Sequence, residues 1–179
     1  LKNLLQTHVQ VYHSLKNMKN GHKTKIGLVK NINQFDPWRR WHILDWLICN
    51  FSNQFFNRCT IDFLRTGILR IRIPGLAWIY HKNMDAVNST DFFGLNYYSH
   101  NHLKMQYSLQ DSFTLQFRDS DTMTDMPYTI YGEGLYRAIQ SVSILNLPIM
   151  ITENGIADAE DNRRKLYINR YLYAVSRAI

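Results

Sequence analysis

The sequence is poor in the residues that usually mark a metal site or a disulfide framework. Its two cysteines, Cys49 and Cys59, do not form a CxxC pair, and neither has a histidine at ligand spacing beside it. Structural metal sites and disulfide-stapled domains need several such residues at short spacings. We therefore predict two buried free thiols and no metal site.

Long hydrophobic runs are also absent. No stretch reaches the roughly 18 apolar residues that a membrane-spanning helix needs. The opening segment, LKNLLQTHVQ, lacks the basic start, apolar stretch and small-residue cleavage site of a secretory signal. We expect a cytoplasmic protein that has no membrane partner.

Acidic residues are fewer than basic ones, 14 against 21, so the formal net charge is +7. A basic balance can indicate a nucleic-acid partner. Here the basic runs, residues 39–40 and 163–165, are short and flank helical patterns, and no nucleic-acid-binding motif accompanies them. We interpret them as solvated helix ends and expect no nucleic-acid partner.

With 45% hydrophobic residues, the chain is expected to form a single domain over residues 1–179.

Four segments are predicted to be helices, three of them from apolar residues at the spacing of a helix face and residues 41–56 as a segment rich in aromatic residues. The first runs over residues 1–15, with Gly21 where a helix stop is expected. Because this helix begins at residue 1 without a polar N-cap, we expect further residues upstream. The other segments are residues 41–56, residues 135–145 and a last helix that places Tyr167, Tyr171, Val175 and Ile179 on one side.

Three short apolar segments have the length of buried strands: residues 25–30, 91–98 and 148–152. Apolar strands that alternate with amphipathic helices are typical of a parallel α/β sheet, because the helices cover both faces. A lone three-stranded parallel sheet has two open edges, which favours an arc of a larger barrel. We also predict a loop that ends at Asp36 and Pro37 and a hairpin within residues 103–118. Residues 69–73 are predicted to be either a short surface strand or an extended connection.

Polar side chains stand at the ends of two of these strands. Glu153 follows the apolar run PIMIT, while Asn96 and Tyr98 are two residues apart and so share a strand face. Catalytic groups of α/β barrels gather at the carboxyl ends of the strands. A phenol that donates to the carboxylate would orient it and favour its charged form as a nucleophile. The same pattern is also compatible with an ordinary charge at a helix N-terminus and a core tyrosine.

Two longer segments make the pattern more specific. PIMITENGIAD, residues 148–158, resembles the nucleophile segment of glycoside hydrolase family 1, and DFFGLNYYS, residues 91–99, resembles a strand of the same family. KIGLVKN, IYGEGL and residues 161–179 resemble further segments in the family's order. Gly132 stands where the family commonly has proline, outside the proposed chemistry. The chain thus resembles this family, of the β-glucosidase type, over nearly its whole length.

The resemblance implies an α/β fold that forms part of a TIM (β/α)8 barrel, roughly strands five to seven with their helices. It implies a retaining β-glycosidase that needs no cofactor, with Glu153 as catalytic nucleophile and Tyr98 in contact with it. Asn96 corresponds to an asparagine of the sugar pocket, and Asn31 to the asparagine that ends an earlier strand. Retention requires two carboxyl groups about 5 to 5.5 Å apart, one to attack the anomeric carbon and one to protonate the leaving oxygen.

The family's acid/base segment, N-E-P, does not occur in the sequence. The only other glutamates are Glu133, in the helix-start segment, and Glu160, after the nucleophile strand. We therefore expect a fragment that hydrolyses β-linked O-glycosides when the acid/base carboxyl comes from elsewhere: a complementing polypeptide, another part of the same protein or a homo-oligomer. The alternative is a non-catalytic truncated barrel with a sugar-binding or structural role.

Overall fold

The structure, a computed structural model, describes residues 1–73, 77–106 and 113–179. Strands and helices alternate in an α/β arrangement, and the strands pair into three separate sheets with no closed barrel within these ranges. The helices are α1 (Lys2–Lys16), α2 (Ile43–Asn53), α3 (Cys59–Thr66), α4 (Gly132–Ser143) and α5 (Arg164–Ala178). The strands are β1 (Gly27–Asn31), β2 (Gln34–Pro37), β3 (Ile68–Ile73), β4 (Ala77–Lys82), β5 (Phe92–Asn96), β6 (His100–Met105), β7 (Phe113–Gln116) and β8 (Ile149–Glu153).

The three strands predicted from apolar runs form one parallel sheet in the order β1-β5-β8. Its two faces differ in exposure. Phe93 and Leu95 are fully buried on one face. On the other face Val29 and Met150, which flank Gly94 in register, are 52% and 54% exposed. Strands of parallel sheets are normally covered on both faces, so one side of this sheet lacks its cover.

Two hydrophobic clusters hold the fold together. The first lies beneath the parallel sheet, where Leu95 and Tyr97 of the β5 segment pack with Leu135 of α4 and Tyr171 of α5. The second joins α1 and α3 to β3, through side chains such as Val9, Phe63 and Leu69. Burial of such apolar surface is the main stabilising term in folding. Cys49 and Cys59 are buried free thiols, as predicted, and burial raises the pKa of Cys49 to about 12.

The two smaller sheets test the remaining strand predictions. Of the two alternatives for residues 69–73 the strand is confirmed, as β3, which pairs antiparallel with β4 and buries Leu69 and Ile71. β6 and β7 also pair antiparallel, which confirms the predicted hairpin, and the residues at its turn lie outside the described ranges. The predicted loop end at Asp36 and Pro37 is wrong, because these residues extend along β6 as part of β2. Proline is tolerated at the end of a strand, where it need not donate a ladder hydrogen bond.

The second helix begins and ends later than predicted. It starts at Ile43, passes through a π-helical turn at Gln54–Arg58 and continues as α3 to Thr66. The turn brings the buried Asn57 against the chain after β1, where its side chain donates to the backbone oxygen of Asn33 and accepts from the Asn33 amide. An inserted residue shifts the apolar periodicity, so the pattern of one regular helix ends near the π turn. None of the helices in the described ranges is long and apolar enough to cross a membrane.

Gly134, in the first turn of α4, fits closely against the β5 segment. A Cβ added there would lie 1.8 Å from the Tyr97 hydroxyl oxygen, which donates to the Tyr131 carbonyl. We expect Gly134→Ala to lower the free energy of unfolding by about 1 to 3 kcal/mol, because overpacking outweighs the better helix propensity of alanine. Urea denaturation measures this effect. Gly155→Ala is the matched control, since a Cβ there meets no atom within 4 Å and should change stability by less than about 0.5 kcal/mol.

Candidate active site

The carboxyl ends of the three parallel strands bring the predicted site residues into one row. Asn31 at the end of β1 pairs with Asn96 at the end of β5, and Asn96 pairs with Glu153 at the end of β8. Residues in register on parallel strands point to the same side of a sheet. The structure thus places three of the four predicted side chains side by side, and Tyr98 follows two residues after Asn96.

A bulge in β8 sets the direction of Glu153. Leu95 pairs with Ile151, but the next residue, Asn96, pairs with Glu153, so Thr152 is an extra residue on β8. With a regular ladder Glu153 would lie opposite Tyr97, on the face that the helices cover. Because a bulge inserts one residue, it reverses which side the following side chain faces. It therefore turns Glu153 to the side of Asn96.

Tyr98 and Glu153 are joined directly. The Tyr98 hydroxyl donates to Oε2 of Glu153 over 2.8 Å, while the glutamate side chain stays exposed to solvent. This hydrogen bond to Glu153 raises the pKa of Tyr98 above its usual value, with smaller contributions from burial and from the nearby negative charge. No lysine or arginine within the described ranges forms an ion pair with Glu153. The carboxylate is oriented by a neutral donor and open on its other side.

Other tyrosines hold Tyr98 in place, and the sequence did not mark them as site residues. The Tyr171 hydroxyl of α5 donates to the Tyr98 carbonyl over 2.8 Å and accepts from the Tyr131 amide over 3.3 Å. The ring of Tyr128 stacks on that of Tyr98 with 6.4 Å between centroids. The helical spacing predicts that Tyr171 faces the core, which it does, but contains no sign of its contact with Tyr98. Together these contacts fix both the backbone and the ring of Tyr98.

The side-chain amides of Asn96 and Asn31 differ in the hydrogen bonds that they make. Oδ1 of Asn96 accepts from the Thr152 hydroxyl over 2.6 Å, while its amide nitrogen has no acceptor among the described residues. Oδ1 of Asn31 is buried and likewise lacks a hydrogen-bond partner in the part of the chain that the structure describes. Buried polar atoms are almost always paired, so the unpaired Oδ1 of Asn31 is an exception. It lies in register with Asn96, whose amide nitrogen can donate to a hydroxyl group of a ligand.

The two other glutamates lie away from this row. Glu133 is in the first turn of α4 and lines a groove with Arg170 of α5. Glu160 lies in the loop before α5 and accepts a hydrogen bond from Asn162. Neither shares a hydrogen-bond partner with Glu153 in residues 1–73, 77–106 and 113–179. These ranges also contain no group of three or more histidine, cysteine, aspartate or glutamate side chains arranged to hold a metal ion.

Comparison with known proteins identifies the family of the chain. The sequence model of glycosyl hydrolase family 1 matches residues 1–179. The chain belongs to glycosyl hydrolase family 1. The resemblance inferred from PIMITENGIAD and DFFGLNYYS is thereby confirmed.

Solved structures of related glycosidases share the fold of this family member. A β-glycosidase from Pyrococcus horikoshii superposes with a TM-score of 0.80 at 28% identity, over 98% of this chain and 39% of the other. A family 1 β-glucosidase from Thermotoga maritima gives 0.81 at 25% identity, over 98% and 43%. By sequence, a β-galactosidase of Pyrococcus woesei is 24% identical over 144 residues, which are 71% of this chain and 28% of that protein. The family 1 chain thus spans less than half the length of these proteins, and its α/β fold matches part of a TIM-barrel glycosidase.

The contact between Tyr98 and Glu153 can be tested in this family 1 chain without any turnover. We expect Glu153→Gln to lower the pKa of Tyr98 towards 10.0, because a neutral carboxamide no longer favours the protonated phenol as the carboxylate does. The raised pKa adds stability below pH 10, which is lost as the pH rises through the folded-state value. Carbon-13 NMR of ring-labelled tyrosine measures the titration, with the signal assigned by its loss in Tyr98→Phe.

Tyr171 serves as the internal control for that titration. Burial, rather than Glu153, raises the pKa of Tyr171 to about 12, so its titration should be unchanged in Glu153→Gln. An unchanged Tyr98 titration in the same spectra would show that the two side chains are not in contact.

Proposed function

We propose that this chain carries the nucleophile half of a retaining β-glycosidase site. The observation that supports this proposal most strongly is the hydrogen bond from Tyr98 to Glu153 at the aligned ends of β5 and β8, in a chain of glycosyl hydrolase family 1. Glu153 acts as the nucleophile, and Tyr98 orients its carboxylate. Asn96 and Asn31 hydrogen-bond hydroxyl groups of the sugar. The chain supplies roughly strands five to seven of a barrel, as one partial-barrel domain over residues 1–179.

The proposed reaction proceeds in two displacements. An oxygen of Glu153 attacks the anomeric carbon while the bond to the leaving oxygen breaks, and a second carboxyl group gives that oxygen its proton. The resulting glycosyl ester is hydrolysed when the second group takes a proton from water, whose oxygen attacks the same carbon and releases Glu153. Two inversions give net retention. Carboxyl groups and water suffice for each step, so the proposal involves no cofactor.

The second carboxyl group comes from outside residues 1–179 in this proposal. Neither Glu133 nor Glu160 lies in the row with Glu153, and the open face of the parallel sheet, with exposed Val29 and Met150, is where further barrel strands would pack. A complementing polypeptide or a further part of the same protein supplies those strands. The substrates are β-linked glycosides, in keeping with relatives named as β-glucosidase and β-galactosidase.

Covalent labelling tests the proposed role of Glu153. The chain is combined with a polypeptide that carries the remaining barrel strands, and the complex is treated with a fluorosugar bearing an activated aryl leaving group, which needs little acid assistance. We expect peptide mapping to find the sugar attached to Glu153. Glu160→Gln is the matched control and should label as the unchanged chain does.

Two outcomes would contradict the proposal. One is attachment of the sugar to a different side chain. The other is a complex that is folded by circular dichroism but neither hydrolyses an aryl β-glucoside nor takes up the label. The second outcome would favour the non-catalytic alternative, a truncated barrel that binds sugars or has a structural role.

A further inference from the structure

The antiparallel pair β3–β4 has one apolar face and one basic, aromatic face. Leu69 and Ile71 of β3 point inward and are almost fully buried in the cluster that joins α1 and α3. Side chains alternate along a strand, so the residues between and after them point outward. The outer face carries Arg70 and Arg72 of β3 and Trp78, Tyr80 and Lys82 of β4, which we call the basic ribbon.

The strand register places these residues opposite one another. Arg70 pairs with Tyr80 and Arg72 pairs with Trp78, so each arginine faces an aromatic side chain across the ribbon. Trp78 is 74% exposed and Tyr80 is 53% exposed. Two large aromatic side chains left in water beside two guanidinium groups are typical of a surface that binds a ligand.

No carboxylate of the described residues neutralises the positive charge of the basic ribbon. Arg70 and Arg72 line a groove of ≈ 500 Å³ together with Arg65 and Asp62 of α3. Asp62 pairs with Arg65 over 3.4 Å, and neither ribbon arginine forms an ion pair with a carboxylate in the described parts of the chain. The groove therefore has an excess of cationic side chains, and guanidinium groups bind carboxylate or sulfate through paired hydrogen bonds.

The two aromatic rings are not equally available. The guanidinium carbon of Arg70 lies 5.8 Å from the centre of the Tyr80 ring, so a cation already covers that ring. Trp78 has no ring contact and no cation over it among the described residues. A single strand of nucleic acid binds by stacking successive bases on successive rings, for which one free ring is a poor platform. One free indole next to two arginines instead matches a pyranose ring, whose C–H face packs on the indole while its acidic substituent pairs with arginine.

We propose that the basic ribbon is a binding site for an acidic oligosaccharide, a glycan that carries carboxylate or sulfate groups. The site is separate from the row that contains Glu153, since β3 and β4 form a two-stranded sheet of their own and pair with no strand of the sheet β1-β5-β8. Its occupation therefore does not depend on the proposed glycosidase reaction. The ribbon holds a charged polysaccharide against the protein surface and leaves the row at the strand ends free.

Calorimetric titration of the full chain tests this proposal with three oligosaccharides: a heparin hexasaccharide for sulfate, an oligogalacturonate for carboxylate and cellohexaose as the neutral reference. We expect binding of at least one acidic oligosaccharide and none of cellohexaose at the ribbon. The double variant Arg72→Gln/Trp78→Ala should weaken acidic binding by at least about tenfold. Added salt should weaken it as well.

The control variant is Tyr173→Ala/Arg177→Gln on α5, which also removes one exposed ring and one positive charge. It should change the affinity by less than about twofold, and Glu153→Gln should leave the affinity unchanged, which separates this site from the proposed glycosidase site. The proposal is overturned if neither acidic oligosaccharide binds, or if both double variants lose affinity equally. Tighter ribbon-dependent binding of single-stranded DNA or of phosphatidylserine vesicles would also overturn it. Circular dichroism of each variant shows that the fold is intact.

Discussion

Replacing Glu153 by alanine in the reconstituted enzyme is expected to lower kcat for an aryl β-glucoside by on the order of 10⁴- to 10⁶-fold, as the loss of a covalent nucleophile does elsewhere. The reason is geometric. The bulge at Thr152 turns one carboxylate to the side of Asn96, and Tyr98 holds it there over 2.8 Å. No other carboxylate of the described residues hydrogen-bonds to Asn96 or Tyr98, so none is in place to attack the anomeric carbon instead of Glu153. Initial-rate kinetics with a saturating substrate measure the loss.

Azide makes this prediction specific for a nucleophile. In Glu153→Ala the space of the lost side chain admits a small anion, which attacks the anomeric carbon from the same side as the carboxylate did. We expect azide to restore turnover and to give the α-glycosyl azide, because only one inversion then occurs. A β-glycosyl azide, or no response to azide in a folded complex, would contradict the assigned role. Glu160→Gln is the control and should hydrolyse the aryl β-glucoside as fast as the enzyme without substitutions.

Asp45→Ala is expected to lower the free energy of unfolding by about 3 to 5 kcal/mol, since it leaves a buried ion pair without one partner. The Asp45 side chain is fully buried at the start of α2. It accepts two hydrogen bonds from the Arg39 guanidinium, at 2.7 and 2.9 Å, and one from the Met105 amide at the end of β6. The Asp45 carboxylate thus joins the start of α2 to the end of β6. Urea denaturation of the full chain measures the change.

The same carboxylate predicts how stability depends on acid. Hydrogen bonding by Arg39 is the largest reason that the pKa of Asp45 lies well below its usual value of 3.8. Because the pKa of Asp45 is lower in the folded than in the unfolded state, its charged form stabilises the fold. This stabilisation is complete above the pKa of the unfolded state and is lost as the pH falls through the pKa of the folded state. Asp45→Asn should therefore flatten the fall in stability below about pH 4. Asp62→Asn is the control, because its exposed pair with Arg65 contributes only about 0 to 1 kcal/mol. If both variants changed the acid dependence of the free energy of unfolding equally, the buried network around Asp45 would be contradicted.

Much of the sheet that carries the candidate site could be predicted from the sequence. Residues 25–30, 91–98 and 148–152 each contain a short apolar run near turn residues, and such a run leaves few alternatives to a buried strand. The position of Glu153 at a strand end followed from the same pattern. The contact between Glu153 and Tyr98 did not follow from the apolar pattern. The resemblance of DFFGLNYYS and PIMITENGIAD to one family indicated this contact, and the structure shows it.

The sequence by itself determined the three strands of the parallel sheet and most of the helices, because hydrophobic periodicity is a local property that each segment carries. It did not determine β2 or β4, which are defined by their pairing with β6 and β3. Only the tertiary structure decided the side to which Glu153 points, since the bulge at Thr152 depends on the register between β5 and β8. The π turn that brings Asn57 to Asn33 and the pairing of Arg70 with Tyr80 depend in the same way on segments apart in the chain. Such pairings are selected by the packing of whole elements against one another, and no single segment contains that information.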